Sequence, residues 1–138
     1  MRIMAIDYGD AHTGIAISDP TGFMAGTTTV INAYRPEQVA EGVKKLAEEY
    51  AVEELVLGYP KNMDGSLGPR AEKAEAMAGL LRETAGLPVT LWDERRTTID
   101  AHQILMQNGQ NAKKRKKTVD AVAAALILEG YLTFKKNS

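Results

Sequence analysis

The chain has 138 residues, 44% hydrophobic and 25% charged, with a formal net charge of −1. That size and balance suit one soluble globular domain over residues 1–138, able to bury most of its apolar surface around a core. The lack of cysteine excludes disulfides, thiolate metal sites and thiol nucleophiles, and two histidines, His12 and His102, are a poor basis for a zinc site. No apolar run reaches membrane-spanning length, and MRIMAIDYGD is too short and too charged for a signal peptide, so a cytoplasmic location is expected.

Residues 2–6, RIMAI, predict a first strand, and TGIAISD (Thr13–Asp19) alternates like a second. The link DYGDAH carries the glycine and aspartates of a hairpin connection. GTTTVINA, rich in β-branched residues, predicts a third strand. From Pro36 to Tyr50 the period changes to that of a helix, with Val39, Val43, Leu46 and Ala47 on one face and proline suited to the first turn.

EELVLGYP predicts a short buried strand ending at Gly58, and YPKNMDGSLG is dense in turn residues. Pro69 opens a helix to about Thr84, and GLPVTLWD predicts the fifth strand. Thr97 or Thr98 caps a further helix, with Asp100 resembling a capping box and Gly109 as the stop. A basic loop, KKRKK (Lys113–Lys117), then leads to a last helix from Thr118 to about Phe134. The order βββ-α-β-α-β-α-α implies an α/β fold, a five-stranded mixed sheet whose first three strands are antiparallel, with helices on its faces.

Three carboxylates fall at element ends. Asp7 closes the first strand, Glu94 sits just past the fifth, and Asp120 lies in the first turn of the last helix. Sites in such sheets gather at the carboxyl ends of strands, although a charged strand end is also the common way to leave a core. A first-turn aspartate is stabilised by the helix dipole by roughly 0.3–1 kcal/mol, yet Asp120 also heads the apolar stripe Ala124, Ile127 and Leu128, where an acid is expected to have a partner. Acids converging without histidine or cysteine would form a hard oxygen site for Mg²⁺ or Mn²⁺, the cation resolving their mutual repulsion. Lys113, Lys114, Arg115, Lys116 and Lys117 immediately precede a helix N-terminus, the end where cations are disfavoured, a placement that suits phosphate binding better than helix stability.

Four blocks in order, AIDYGDAHTGIAISD, LVLGYPKNMDGSLGPRA, LWDERRTT and KRKKTVDAVAAALILEGYL, resemble the YqgF-type family of RNase H-like proteins over nearly the whole chain. That family is related to Holliday junction resolvases and is described as acting on the precursor of 16S ribosomal RNA. The resemblance implies an RNase H-like fold and metal-dependent phosphodiester hydrolysis, with Asp7, Glu94 and Asp120 as metal-binding catalytic acids. It favours a pre-16S rRNA substrate, with branched DNA as the alternative and a non-catalytic ribosome-assembly factor as a further one. Lys61, Asn62, Arg70, Arg95 and the residues Lys113–Lys117 are the expected nucleic-acid contacts. One departure stands out: where the family usually carries a basic pair after DYG, this chain has His12 and Thr13, which leaves phosphate contacts to Lys61, Arg70 or the KKRKK run. The first block also resembles the phosphate-binding hairpin of actin-like kinases, but those need two such halves and this chain supplies one.

Overall fold

The computed structural model describes residues 1–22, 25–61, 64–94 and 112–136, with the side chains of the last segment from Ala121 onward. Five strands form one sheet: β1 (Arg2–Asp7), β2 (His12–Ser18), β3 (Ala25–Asn32), β4 (Val52–Tyr59) and β5 (Val89–Asp93). Their order is β3-β2-β1-β4-β5; β1 pairs antiparallel with β2 and parallel with β4, while β2–β3 is antiparallel and β4–β5 parallel. Three helices accompany them, α1 (Pro36–Glu49), α2 (Pro69–Ala85) and α3 (Ala112–Lys136).

The period-2 alternation of the strands divides the core into two layers. Met4, Ile6, Ile15, Ile17, Leu55 and Leu57 pack on Val39 and Val43 of α1 and on Met77 and Leu81 of α2. Ile3, Ala5, Ala16, Val56 and Trp92 face the other way, onto Ala124, Ile127, Leu128, Tyr131 and Leu132 of α3. Full burial of each large aliphatic side chain contributes roughly 1.5–3 kcal/mol, so both layers are well sealed. The helices thus cover both faces, as expected.

Local signals set the helix ends. Pro36 and Pro69 open α1 and α2, and Gly86 closes α2 in the left-handed conformation at φ 68°, its N–H donating to the Arg82 carbonyl at 3.1 Å. Ala51, between α1 and β4, adopts φ 55° without being glycine. Arg2 Nη1 donates to the Tyr50 carbonyl at 2.8 Å beside it, and the guanidinium lies 5.9 Å from the Tyr50 ring centre.

The basic run is not a loop. α3 begins at Ala112, upstream of the expected Thr118, so Lys113–Lys117 form its opening turns. Alanine, lysine and arginine are among the strongest helix formers, and that preference prevails over the unfavourable dipole. The helix expected from Thr97 or Thr98 to Gly109 lies outside the described residues.

α3 runs antiparallel to β4. Near its end, Tyr131 donates its hydroxyl to Glu54 and Lys135 Nζ lies 3.1 Å from Glu54 Oε1, at the start of the strand. Farther back, Ile127 packs beside Gly58, near the strand's other end. The opening turns of α3 therefore extend toward the carboxyl ends of the parallel strands. At 1.5 Å per residue, Asp120 stands about 10 Å before Ile127 along the axis.

Candidate active site

β4 lies between β1 and β5, so Asp7 and Glu94 stand on strands separated by a third. Two inter-strand spacings amount to roughly 10 Å, more than two carboxylates would ordinarily close. Here the alternation turns Asp7 to the side of Ile3 and Ala5, and Glu94 to the side of Trp92. Gly58, opposite Trp92 in the β4–β5 register, exposes bare backbone on that same side. Glu94 folds across it: a Cβ built on Gly58 would overlap Glu94 Oε1, with Cδ at 3.0 Å and Ile127 Cδ1 at 2.9 Å. From there Glu94 forms a side-chain hydrogen bond with Asp7.

The pair is electrostatically frustrated. Burial, then the charge of Glu94 and the shared hydrogen bond, push the Asp7 carboxyl from 3.8 up to about 8, while Arg70 acts in the opposite direction. At neutral pH the Asp7 carboxyl therefore keeps its proton. A cation delivered to the same oxygens would displace it.

Above them is a cleft of about 250 Å³, walled by Asp7, Glu94, Gly58, Arg70 and Lys73. Arg70 projects from the first turn of α2, and Lys73 follows one turn on, its ammonium 3.1 Å from Asp10 in the β1–β2 turn. Both partners of that ion pair are exposed, so it contributes little to stability and can exchange for a ligand. Asp10 lies in the first quoted sequence block and Lys73 in none; the helical offset of Lys73 from Arg70 was its available signal.

The His12–Thr13 departure is explained by the hairpin. Thr13 is wholly buried, and its Oγ1 accepts from Gly9 N at 3.4 Å. A Cβ on Gly9 would overlap the His12 carbonyl, so the turn needs glycine there. His12 Nδ1 donates to Asn32 Oδ1 at 2.7 Å, across the β2–β3 ladder. Both residues serve the hairpin. Trp92 likewise packs in the core, edge-to-face with Tyr131 at 5.8 Å and Phe134 at 5.7 Å.

Of the expected site residues, the structure brings together Asp7, Glu94 and Arg70. Lys61 is not part of the cleft wall; its ammonium sits 5.6 Å from the Tyr59 ring centre. Asn62 and Arg95 lie outside the described residues. Asp120 and Lys113–Lys117 are on the opening turns of α3, and their side chains are outside the described set. Among the described residues, no group of three or more histidine, cysteine, aspartate or glutamate side chains could hold a metal ion. The hard-oxygen pair Asp7–Glu94 fits a divalent cation in chemistry and in its unresolved repulsion.

A family model described as RuvX, Holliday junction resolvase, matches residues 1–134. A Halothermothrix orenii protein named "Putative pre-16S rRNA nuclease" is 47% identical over 135 residues, covering 98% of this chain and 96% of its own. A Clostridium botulinum (strain Alaska E43) protein of the same name is 45% identical over 132 residues, with 96% of each covered. Among solved structures, Thermus thermophilus RuvC in complex with a Holliday junction substrate superposes with a TM-score of 0.64 at 17% identity, covering 98% of this chain and 96% of that one. That likeness shows the RNase H-like fold.

Proposed function

Because the chain belongs to the RuvX Holliday junction resolvase family, we propose that residues 1–138 form a single divalent-metal-dependent nuclease domain, acting in the cytoplasm on the precursor of 16S ribosomal RNA. The observation that carries this reading is the Asp7–Glu94 carboxylate pair, half-buried and hydrogen-bonded at the carboxyl ends of β1 and β5. Structural acids are not expected to be held in mutual repulsion, whereas metal-binding acids are. The names of the curated relatives favour the RNA substrate.

Asp7 and Glu94 would hold Mg²⁺ or Mn²⁺ together with Asp120, which shares the helical row of Ala124 and Ile127. When bound, such ions polarise the scissile phosphate and activate water for hydrolysis. The chain's own residues do the remaining work. Arg70 offsets phosphate charge at the mouth of the cleft, and Lys73 exchanges Asp10 for a phosphate oxygen. Lys113–Lys117 add a sequence-independent attraction for the backbone, as Lys61, Asn62 and Arg95 would. Gly58 keeps Glu94 within reach of Asp7.

The test incubates the pure protein with labelled pre-16S RNA and with a synthetic four-way DNA junction, each in Mg²⁺, Mn²⁺ or EDTA, beside Asp7→Asn and Asp120→Asn. Cleavage of the RNA, abolished by EDTA and by either substitution, is the expected result. Cleavage of the junction alone would make the protein a resolvase. Binding without cleavage, indifferent to both substitutions, would make it an assembly factor and overturn the nuclease.

A further inference from the structure

A second groove, of about 320 Å³, adjoins the cleft and shares Tyr8, Asp10 and Lys73 with it. Its other walls are Tyr34, in the turn between β3 and α1, and Met77 and Leu80 of α2. Met77 is buried and Leu80 half-buried, so the floor is apolar and fixed by the core beneath. Tyr34 is the opposite: it is 82% exposed, a large ring held at the rim with almost no packing of its own. Exposed aromatic rings beside an apolar floor are costly to hydrate and suited to stacking.

The charge pattern differs from that of the cleft. Among the described lining residues the charged ones, Lys73 and Asp10, sit on the edge shared with the cleft, while the rest of the wall is uncharged. A phosphate gains little over the apolar floor itself, away from that shared edge. An uncharged planar group gains an apolar floor, the exposed ring of Tyr34 and the Tyr8 side chain on the wall shared with the cleft. The two cavities meet at Tyr8, adjacent in sequence to Asp7, so a strand with its phosphate in the cleft has its neighbouring nucleotide at the groove's mouth.

We propose that this groove receives one unpaired nucleobase flanking the scissile phosphate, stacked on Tyr34. The inference rests on the nuclease reading above. It makes the enzyme selective for strands whose bases are already free, because a paired base must first be extruded from its stack. Single strands, bulges and junction points qualify; continuous duplex does not.

The test uses oligonucleotides with 2-aminopurine at an unpaired bulge position, as RNA and as DNA, bound in EDTA to the full chain and to Tyr34→Ala and Tyr34→Phe. Fluorescence of the bulged probe is expected to be quenched on binding. Tyr34→Ala should weaken bulge binding about tenfold and abolish the quench, while leaving affinity for the matched duplex within twofold. Tyr34→Phe should retain both, since the ring and not the hydroxyl stacks. Equal loss on bulge and duplex with Tyr34→Ala, or no change on either, would overturn the subsite. Cleavage assays on the same proteins separate the two ideas. Metal-dependent cleavage indifferent to Tyr34 would keep the nuclease and reject the groove, whereas Tyr34-dependent stacking without any cleavage would do the reverse. No binding of either polymer would reject both.

Discussion

Glu94 reaches Asp7 only because residue 58 has no side chain. Gly58→Ala would drive a methyl into Glu94 Oε1 and crowd Ile127. Both are flexible side-chain ends, so the fold should survive with a loss of roughly 1–3 kcal/mol. The expected functional loss is far larger: with Glu94 swung off Asp7, Mn²⁺ affinity and cleavage should each fall about a hundredfold. Isothermal titration with Mn²⁺ beside a thermal melt checks this. Unchanged metal affinity in a folded Gly58→Ala would show that Glu94 does not need that passage.

The raised Asp7 carboxyl makes the metal-free protein pH-sensitive. Unfolded, Asp7 ionises near 3.8; folded, it holds its proton to about 8. Between those values the folded state binds a proton that the unfolded chain has released. This contribution to stability is full below pH 4 and is lost as pH rises through 8. Asp7→Asn removes the titrating group, keeps a hydrogen bond to Glu94, and should stabilise the metal-free protein at pH 8 by roughly 1–3 kcal/mol. Denaturant melts at pH 5 and pH 8 should show a gain at the higher pH and little at the lower. Adding Mg²⁺ should shrink the difference by stabilising the wild type alone.

Arg70 holds the Asp7 carboxyl down against burial and Glu94. Replacing it with glutamine should therefore move the acid limb of the pH–rate profile toward alkaline pH, as well as lowering kcat/KM about tenfold through lost charge at the phosphate. A profile of unchanged shape with reduced height would assign Arg70 to substrate binding alone.

Ala51 carries a left-handed backbone that glycine adopts more easily. Ala51→Gly should raise stability by up to about 1 kcal/mol, since relief of the strain exceeds the entropy added to the unfolded chain. Activity should not change. A fall in melting temperature would mean that the Ala51 methyl contributes packing of similar size.

Much of this architecture was legible in the residues. Strands end visibly at Asp7 and Glu94 because alternation stops where charges begin, and prolines mark the starts of α1 and α2. Gly58 was visible as a glycine, but its purpose was not: that depends on the register of β4 against β5 and on a side chain from a different strand crossing it. The run Lys113–Lys117 misled for a definite reason. A helix start at Thr118 leaves the basic run as a loop, while the intrinsic preference of Ala112 and the basic residues for helix proved stronger. Tyr34 gave no signal, since an isolated surface residue acquires meaning only from the neighbours that folding supplies.

α3 is a cantilever. It is bolted to the sheet at its far end, where Glu54 takes Tyr131 and Lys135. Its opening turns extend past the strand ends, toward the acids. Small rotations at the bolt are magnified along the span. The underside of the molecule, remote from the candidate site, thereby helps to set where the opening turns of α3 stand relative to the strand ends.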